Sequence, residues 1–194
     1  MKRMILASGS PRRKELLQML EVPFEVLVSD TKEVITKNEP AEVTKELSYQ
    51  KAMAVAGQVE EGIIIGADTV VSIDGKILGK PADTEEAREM IYKLQGKSHM
   101  VYTGVTVIAK SGDMVSASSF AEGTKVNVAP MTENEIEAYI STDEPYDKAG
   151  AYGIQGLFGK FIEGIKGDYF NVVGLPVCLV GQLLARFGVD PFLI

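Results

Sequence analysis

Hydrophobic and polar positions along this chain switch between periods of about two and about 3.6 residues, and the switches mark its elements. The apolar run "RMIL", residues 3–6, reads as a short buried strand, and "FEVLVSD", residues 24–30, as a second. Between them "PRRKELLQML" reads as a helix entered through Ser10 as N-cap and Pro11 as first helical residue. A longer helix covers residues 40–57, with Pro40 near its start and Gly57 as its stop. "GIIIGADTVVSI", residues 62–73, is almost continuously apolar and β-branched, the pattern of a strand buried on both faces. Asp74 and Gly75 then turn the chain into "KILGKP".

The second half repeats the alternation. "DTEEAREMIYKL" opens on Asp83 with Glu86 three residues later, a capping-box pattern, and Gly96 closes that helix. Two long strands, residues 98–110 and 114–129, are joined through "SGD" as a hairpin. Thr132 and Glu135 repeat the box before the helix "TENEIEAYI", and "STDEPYDKAGAYGIQG" reads as a glycine-rich loop. A strand near "GKFIEGIKG" and a helix over residues 176–187 complete the pattern. The expectation is a single domain over residues 1–194, α/β or α+β, with a mixed sheet and flanking helices and no linker, repeat or low-complexity segment.

Composition narrows what such a domain does. Twenty basic against twenty-seven acidic residues leave a net charge of −7, which argues against a broad surface for duplex DNA or anionic membrane. With no Trp and 7% aromatics, a single-strand nucleic-acid module is disfavoured too. The apolar run Met4 to Ala7 is shorter than a signal-peptide core, so a cytoplasmic protein is expected. One cysteine, Cys178, excludes an internal disulfide and a CxxC metal site, and its apolar helical setting predicts a buried, inert thiol. The only histidine, His99, excludes an HExxH zinc site; at a strand start it needs only a satisfied hydrogen bond. No GxxxxGK[ST] is present, and no GxGxxG follows the first strand.

Charge placement carries the remaining signal. Arg12, Arg13 and Lys14 crowd the positive end of a helix macrodipole, which costs about 0.3–1 kcal/mol per exposed cation unless an anion binds there. Backbone N–H groups after "SGSP", the hydroxyls of Ser8 and Ser10, and two guanidinium groups suit phosphate. Lys51 falls in the apolar stripe Val43, Leu47, Val55, where it either snorkels or meets an anion. Asp68 interrupts the most apolar strand, as a strand-end turn cap or as a functional carboxylate that needs a donor or cation. Glu33 and Lys80 are, in isolation, ordinary solvated loop residues.

Taken together, "LASGSPRRKELL", "GADTVV", "LGKPAD", "DKAGAYGIQG" and "GDYFNVVGLPV" resemble the Maf family of nucleoside triphosphate pyrophosphatases, also known as septum formation inhibitor proteins, in family order and over nearly the whole chain. The resemblance implies an elongated, two-lobed fold like that of the inosine triphosphate pyrophosphatases (the Maf/Ham fold), with the active site in a cleft between the lobes. It implies hydrolysis of a nucleoside triphosphate to the monophosphate and diphosphate with a divalent cation, Mg²⁺ or Mn²⁺, in the cytoplasm, and favours a homodimer. Matched to the family's motifs, the resemblance implies that Ser8, Arg12 and Arg13 bind phosphate, that Lys51 and Lys80 are the family's "QKA" and "GKP" lysines, and that Asp68 is the proton acceptor. The family's acidic residue after the second strand matches Glu33, with Asp30 as a rival, because this chain reads "DTKE" where the family often has "DE".

That cast is chemically coherent. Arg12, Arg13, Lys51 and Lys80 offset phosphate charge, while Asp68 and Glu33 offer hard oxygen ligands. The expected reaction has the metal and Asp68 orienting and deprotonating a water that attacks the α-phosphorus. The resemblance is greatest to the branch acting on dTTP and UTP, whose specificity positions match Arg12, Thr69 and Gln155. A Gln amide suits the N3–H and O4 edge of thymine or uracil. The alternative is a nucleotide-binding regulator of cell division with little catalysis.

Overall fold

A computed structural model of the protein describes residues 2–28, 30 and 32–190. Its sheet has seven strands: β1 (Met4–Leu6), β2 (Glu25–Val26), β3 (Glu61–Ile73), β4 (Lys76–Leu78), β5 (Ser98–Ser111), β6 (Met114–Val128) and β7 (Ile162–Lys166). They run in the order β2-β1-β3-β5-β6-β7, with β4 also paired to β3. β1 is parallel to β2 and β3, while β4 and β7 are antiparallel to β3 and β6, so the sheet is mixed as expected. The strand expected over residues 24–30 is shorter: only Glu25 and Val26 pair, opposite Ile5 and Leu6, because the three-residue β1 offers few rungs. Ser29, within that expected strand, lies outside the described residues.

Chain contacts divide the molecule into two compact units whose boundaries fall inside β3, β5 and β6. The first comprises Met1–Asp68, Thr103–Glu122 and Gly174–Ile194. Its core gathers Ile5, Ala7, Val55, Ile64 and Ile108 around helix α2 (Pro40–Ala56). Thr44, Ser48 and Ala52, four residues apart and fully buried, give α2 a narrow inner face. That face lies against glycine. A Cβ on Gly66 would stand 2.3 Å from the Ser48 carbonyl oxygen, and one on Gly104 at 2.3 Å from that of Thr44. The polar groups left at this close approach satisfy one another: Ser48 Oγ and Thr106 Oγ1 are 2.8 Å apart, as are Thr106 Oγ1 and Ser119 Oγ. Gly57 caps α2 at φ −65°, so this helix ends without a left-handed residue.

The second unit, Thr69–Tyr102 and Gly123–Val173, has an aromatic centre. Phe158 is fully buried, with the rings of Tyr139, Tyr152 and Phe161 at 5.2, 4.7 and 5.7 Å. His99 Nε2 is 2.7 Å from the Tyr152 hydroxyl, the bond its place predicted, while Nδ1 has no hydrogen-bond partner among the described residues. Burial lowers the His99 pKa to about 4. Asp74 and Gly75, at φ 50° and 74°, form the two-residue turn between paired Ile73 and Lys76. Helices α3 (Thr84–Leu94) and α4 (Glu133–Ile140) begin at the expected caps. Asp83 accepts from the Glu86 N–H at 2.9 Å, but Glu86 reaches back to the Ala82 N–H instead of closing the box. At α4 both reciprocal bonds of Thr132 and Glu135 form. These bonds and Lys160 hold the Glu135 pKa down to about 2.

Helix α1 (Pro11–Gln18) follows β1, and α5 (Tyr169–Val173) and α6 (Val177–Arg186) close the chain. Cys178 is exposed, which corrects the expected buried thiol: α6 buries Val180, Leu183 and Leu184, and Cys178 falls on the other face beside Gln182. Residues 191–194, in the apolar C-terminal segment, lie outside the described residues. Among the described residues no helix is long and apolar enough to cross a membrane.

Candidate active site

Three parallel strands deliver the first unit's polar residues to one end of the sheet. Leu6 pairs with both Val26 and Ile65, so Ser8, Glu33 and Asp68 all lie a few residues beyond the carboxyl ends of matched rungs, where ligands of parallel sheets gather. The Ala7 N–H continues the β1 ladder to the Ile65 carbonyl at 2.8 Å, and the chain then leaves the sheet at Ser8.

The turn into α1 gathers hydrogen-bond donors and cations. Ser10 occupies the N-cap position as expected, yet its side chain makes no capping bond, and no acidic residue stands in the first turn. Buried Ser8 instead accepts from the Ser10 N–H and from Arg13 Nη1, each at 3.3 Å. Arg13 Nε donates to the Gly174 carbonyl at 2.9 Å, so the guanidinium is gripped at two points. Burial pushes Arg13 below its ordinary pKa, a displacement opposed by the fields of Asp68 and Glu33 and increased by that of Arg12. Sequence reasoning did not find Gly174, because a backbone acceptor carries no residue-type signal.

Lys51 joins the two carboxylates. Its Nζ lies 2.5 Å from Asp68 Oδ1 and 3.0 Å from Glu33 Oε1. The lysine therefore does not snorkel to water; it ends on an acidic pair. Asp68 is not a strand-end cap either, since it lies within β3 and is only 9% exposed. Gly66, two residues earlier, is what lets α2 approach near enough to bring Lys51 to it. Of the rivals Glu33 and Asp30, Glu33 is the one on Lys51; Asp30 is exposed.

Lys80, Thr69 and Gln155 belong to the second unit. Lys80 is exposed just past β4, after Gly79, whose carbonyl accepts from the Gly150 N–H at 2.9 Å. Thr69 is half-buried in β3, next in sequence to Asp68. Gln155 is exposed in a segment held by Glu144, whose carboxylate accepts from the N–H groups of Leu157 at 2.6 Å and Phe158 at 3.3 Å.

Among the described residues no group of three or more His, Cys, Asp or Glu is placed to hold a metal ion. Asp68 and Glu33 together still fit Mg²⁺ or Mn²⁺, which commonly take one or two carboxylates and complete their shell with phosphate oxygens and water. Two carboxylates thus meet one half-buried ammonium, in the field of the Arg13 guanidinium, on an α/β fold.

Residues 3–187 match the family model described as Maf-like protein, and the chain belongs to that family. A protein of Bacillus cytotoxicus named dTTP/UTP pyrophosphatase is 51% identical over 188 residues, covering 96% of each chain. One of the same name from a strain of Bacillus cereus is 47% identical over 191 residues, covering 98% of each. In structure, the Staphylococcus aureus Ham1 protein matches with a TM-score of 0.55 at 14% identity, over 96% of this chain and all of that one, which bears out the expected fold class.

Proposed function

We propose that the protein is a nucleoside triphosphate pyrophosphatase that cleaves dTTP and UTP to the monophosphate and diphosphate. The observation that carries this reading is Lys51 bridging Asp68 and Glu33 within electrostatic reach of half-buried Arg13. Relatives about half identical over nearly full length and named for this activity support it.

Each side chain has work to do. Arg12 and Arg13 at the start of α1, with Lys51, offset the charge of the triphosphate, which would otherwise repel an incoming oxygen nucleophile. Asp68 accepts the proton of the attacking water as its oxygen bonds to the α-phosphorus. The bond from that phosphorus to the bridging oxygen then breaks, and diphosphate leaves with the electron pair. Lys51, 2.5 Å from Asp68 Oδ1, holds that carboxylate in place as the base. A divalent cation held by Asp68 and Glu33 would supply further neutralisation of charge as the phosphorus is attacked. By resemblance Lys80 contributes a further cation, and Thr69 and Gln155 read the pyrimidine edge.

A regulator that only bound nucleotide would need these cations but would gain nothing from two carboxylates beside a triphosphate. A panel of nucleotides with and without Mg²⁺ or Mn²⁺, analysed for products, tests the assignment. Metal-dependent release of diphosphate fastest from dTTP and UTP is expected. Fastest release from a purine such as 7-methyl-GTP overturns the substrate, and absence of metal-dependent turnover overturns the enzyme.

A further inference from the structure

Glu33 is the one carboxylate of the acidic pair that no regular element carries, because residues 32–38 form neither helix nor strand. Such a segment must still satisfy its backbone polar groups, and an unanchored one would not hold a side chain at 3.0 Å from a particular ammonium. The anchor is the outer face of α2. Gln50 Oε1 accepts from the Val34 N–H at 2.9 Å, and Gln50 Nε2 donates to the Val34 carbonyl at 2.6 Å. A side-chain amide thus stands in for a paired peptide and closes both backbone groups of the residue next to Glu33. One turn earlier, Glu46 accepts from the Thr36 N–H at 2.9 Å and from Thr36 Oγ1 at 2.5 Å.

Gln50 adjoins Lys51 in the helix, and Val34 adjoins Glu33 in the segment. The pair of hydrogen bonds between Gln50 and Val34 therefore fixes Glu33 relative to Lys51. Val34 and Ile35 are 54% and 59% exposed, so apolar packing does not supply this anchoring.

We propose that Gln50 is a positioning residue for the pyrophosphatase reaction: by clipping Val34 to α2 it places Glu33 for the divalent cation. The inference rests on the function proposed above. Partners that orient a metal's ligands typically change metal affinity by about 10- to 100-fold when removed. Alanine is a strong helix former, so Gln50→Ala keeps α2 while deleting both bonds.

The test is Mn²⁺ binding to the nucleotide-free full chain, read by electron paramagnetic resonance, beside steady-state hydrolysis of dTTP. Gln50→Ala is expected to weaken Mn²⁺ binding about tenfold, and to raise by about tenfold the Mn²⁺ needed for half-maximal turnover. The KM for dTTP at saturating Mn²⁺ should stay within about twofold. In a Glu33→Gln background the same change should have no further effect, since Gln50 acts through Glu33. Tyr49→Ala, on the exposed face of α2 beside the clip, should leave Mn²⁺ binding unchanged.

Unchanged Mn²⁺ affinity in Gln50→Ala, or an equal loss with Glu33 already replaced, overturns the positioning role. A wild-type chain that binds no Mn²⁺ overturns it as well. If Gln50 and Glu33 govern Mn²⁺ binding while neither dTTP nor UTP is hydrolysed, the clip stands and the assigned reaction falls.

Discussion

At Lys51 a single ammonium serves two carboxylates, one nearly buried and one half-exposed, and its removal has two separable consequences. Lys51→Met keeps the length of the stem and deletes the charge, leaving Asp68 without its cation at 9% exposure. The loss of a charged hydrogen-bond partner there should cost about 1–3 kcal/mol. For a chain of this size each kcal/mol lowers the melting temperature by about 2–4 °C. Adding Asp68→Asn to that variant removes the stranded charge and should restore much of the stability. Turnover should be low in Lys51→Met, which lacks a cation that offsets phosphate charge, and should stay lost in the double variant, because restoring stability does not restore a proton acceptor. Asp68→Asn alone should abolish hydrolysis and leave nucleotide binding measurable by calorimetry; a near-normal rate in that variant would remove Asp68 from the mechanism. Thermal melts beside product assays separate the stabilising role of the pair from its chemical one.

The element that makes this meeting possible is α2, and its two glycine contacts differ in kind from the glycine that ends it. A Cβ on Gly66 would strike backbone, the Ser48 carbonyl at 2.3 Å and the Ala52 nitrogen at 2.9 Å, neither of which can rotate aside. Gly66→Ala should cost about 1–3 kcal/mol or more by overpacking, and should cut dTTP turnover by forcing Lys51 away from Asp68. Gly57→Ala, at φ −65° with ordinary contacts, should be neutral or stabilising by up to about 1 kcal/mol. Equal costs in urea denaturation would refute the close-approach explanation. This contrast also marks what the chain made legible. Elements governed by local rules were readable, including the Asp74–Gly75 hairpin, the caps at Asp83 and Thr132, and the apolar run of β3. Features set by a distant partner were not: β2 shrinks because β1 is short, α5 has too few residues to show a period, and Cys178 turns outward because only one face of α6 is covered. The same division runs through the site. The misplaced charges of Arg12, Arg13, Lys51 and Asp68 were visible as misfits, whereas Gly174 acts through its own carbonyl and Gln50 through an amide bound to another residue's backbone, neither of which stands out in residue type.

Across the whole molecule the two units should answer acid differently, because the chain's one histidine is buried in only one of them. His99 titrates near 6.5 when unfolded, but burial lowers its folded pKa to about 4. The unfolded chain therefore binds the proton first, and acid favours unfolding. The stability that neutral His99 permits is complete above pH 6.5 and is lost progressively as pH falls through about 4. The interval corresponds to about 3 kcal/mol. Glu135, held down to about 2, acts in the same direction in a lower window, where its bonds to Thr132 and Lys160 are lost on protonation. Between pH 7 and pH 5.5 the histidine term should therefore stand apart, above the sequence pI of about 4.9 where loss of net charge promotes association. As pH falls over that range, protection against hydrogen exchange, corrected for the slower intrinsic exchange in acid, should drop in peptides of β5 around His99 and in the segment around Tyr152, while that of α2 peptides changes little. In His99→Gln, which cannot gain the proton, the acid-induced drop in the second unit should disappear. Equal loss of protection in both units of the wild type would show that acid loosens the molecule as a whole, and that burial of His99 does not control it.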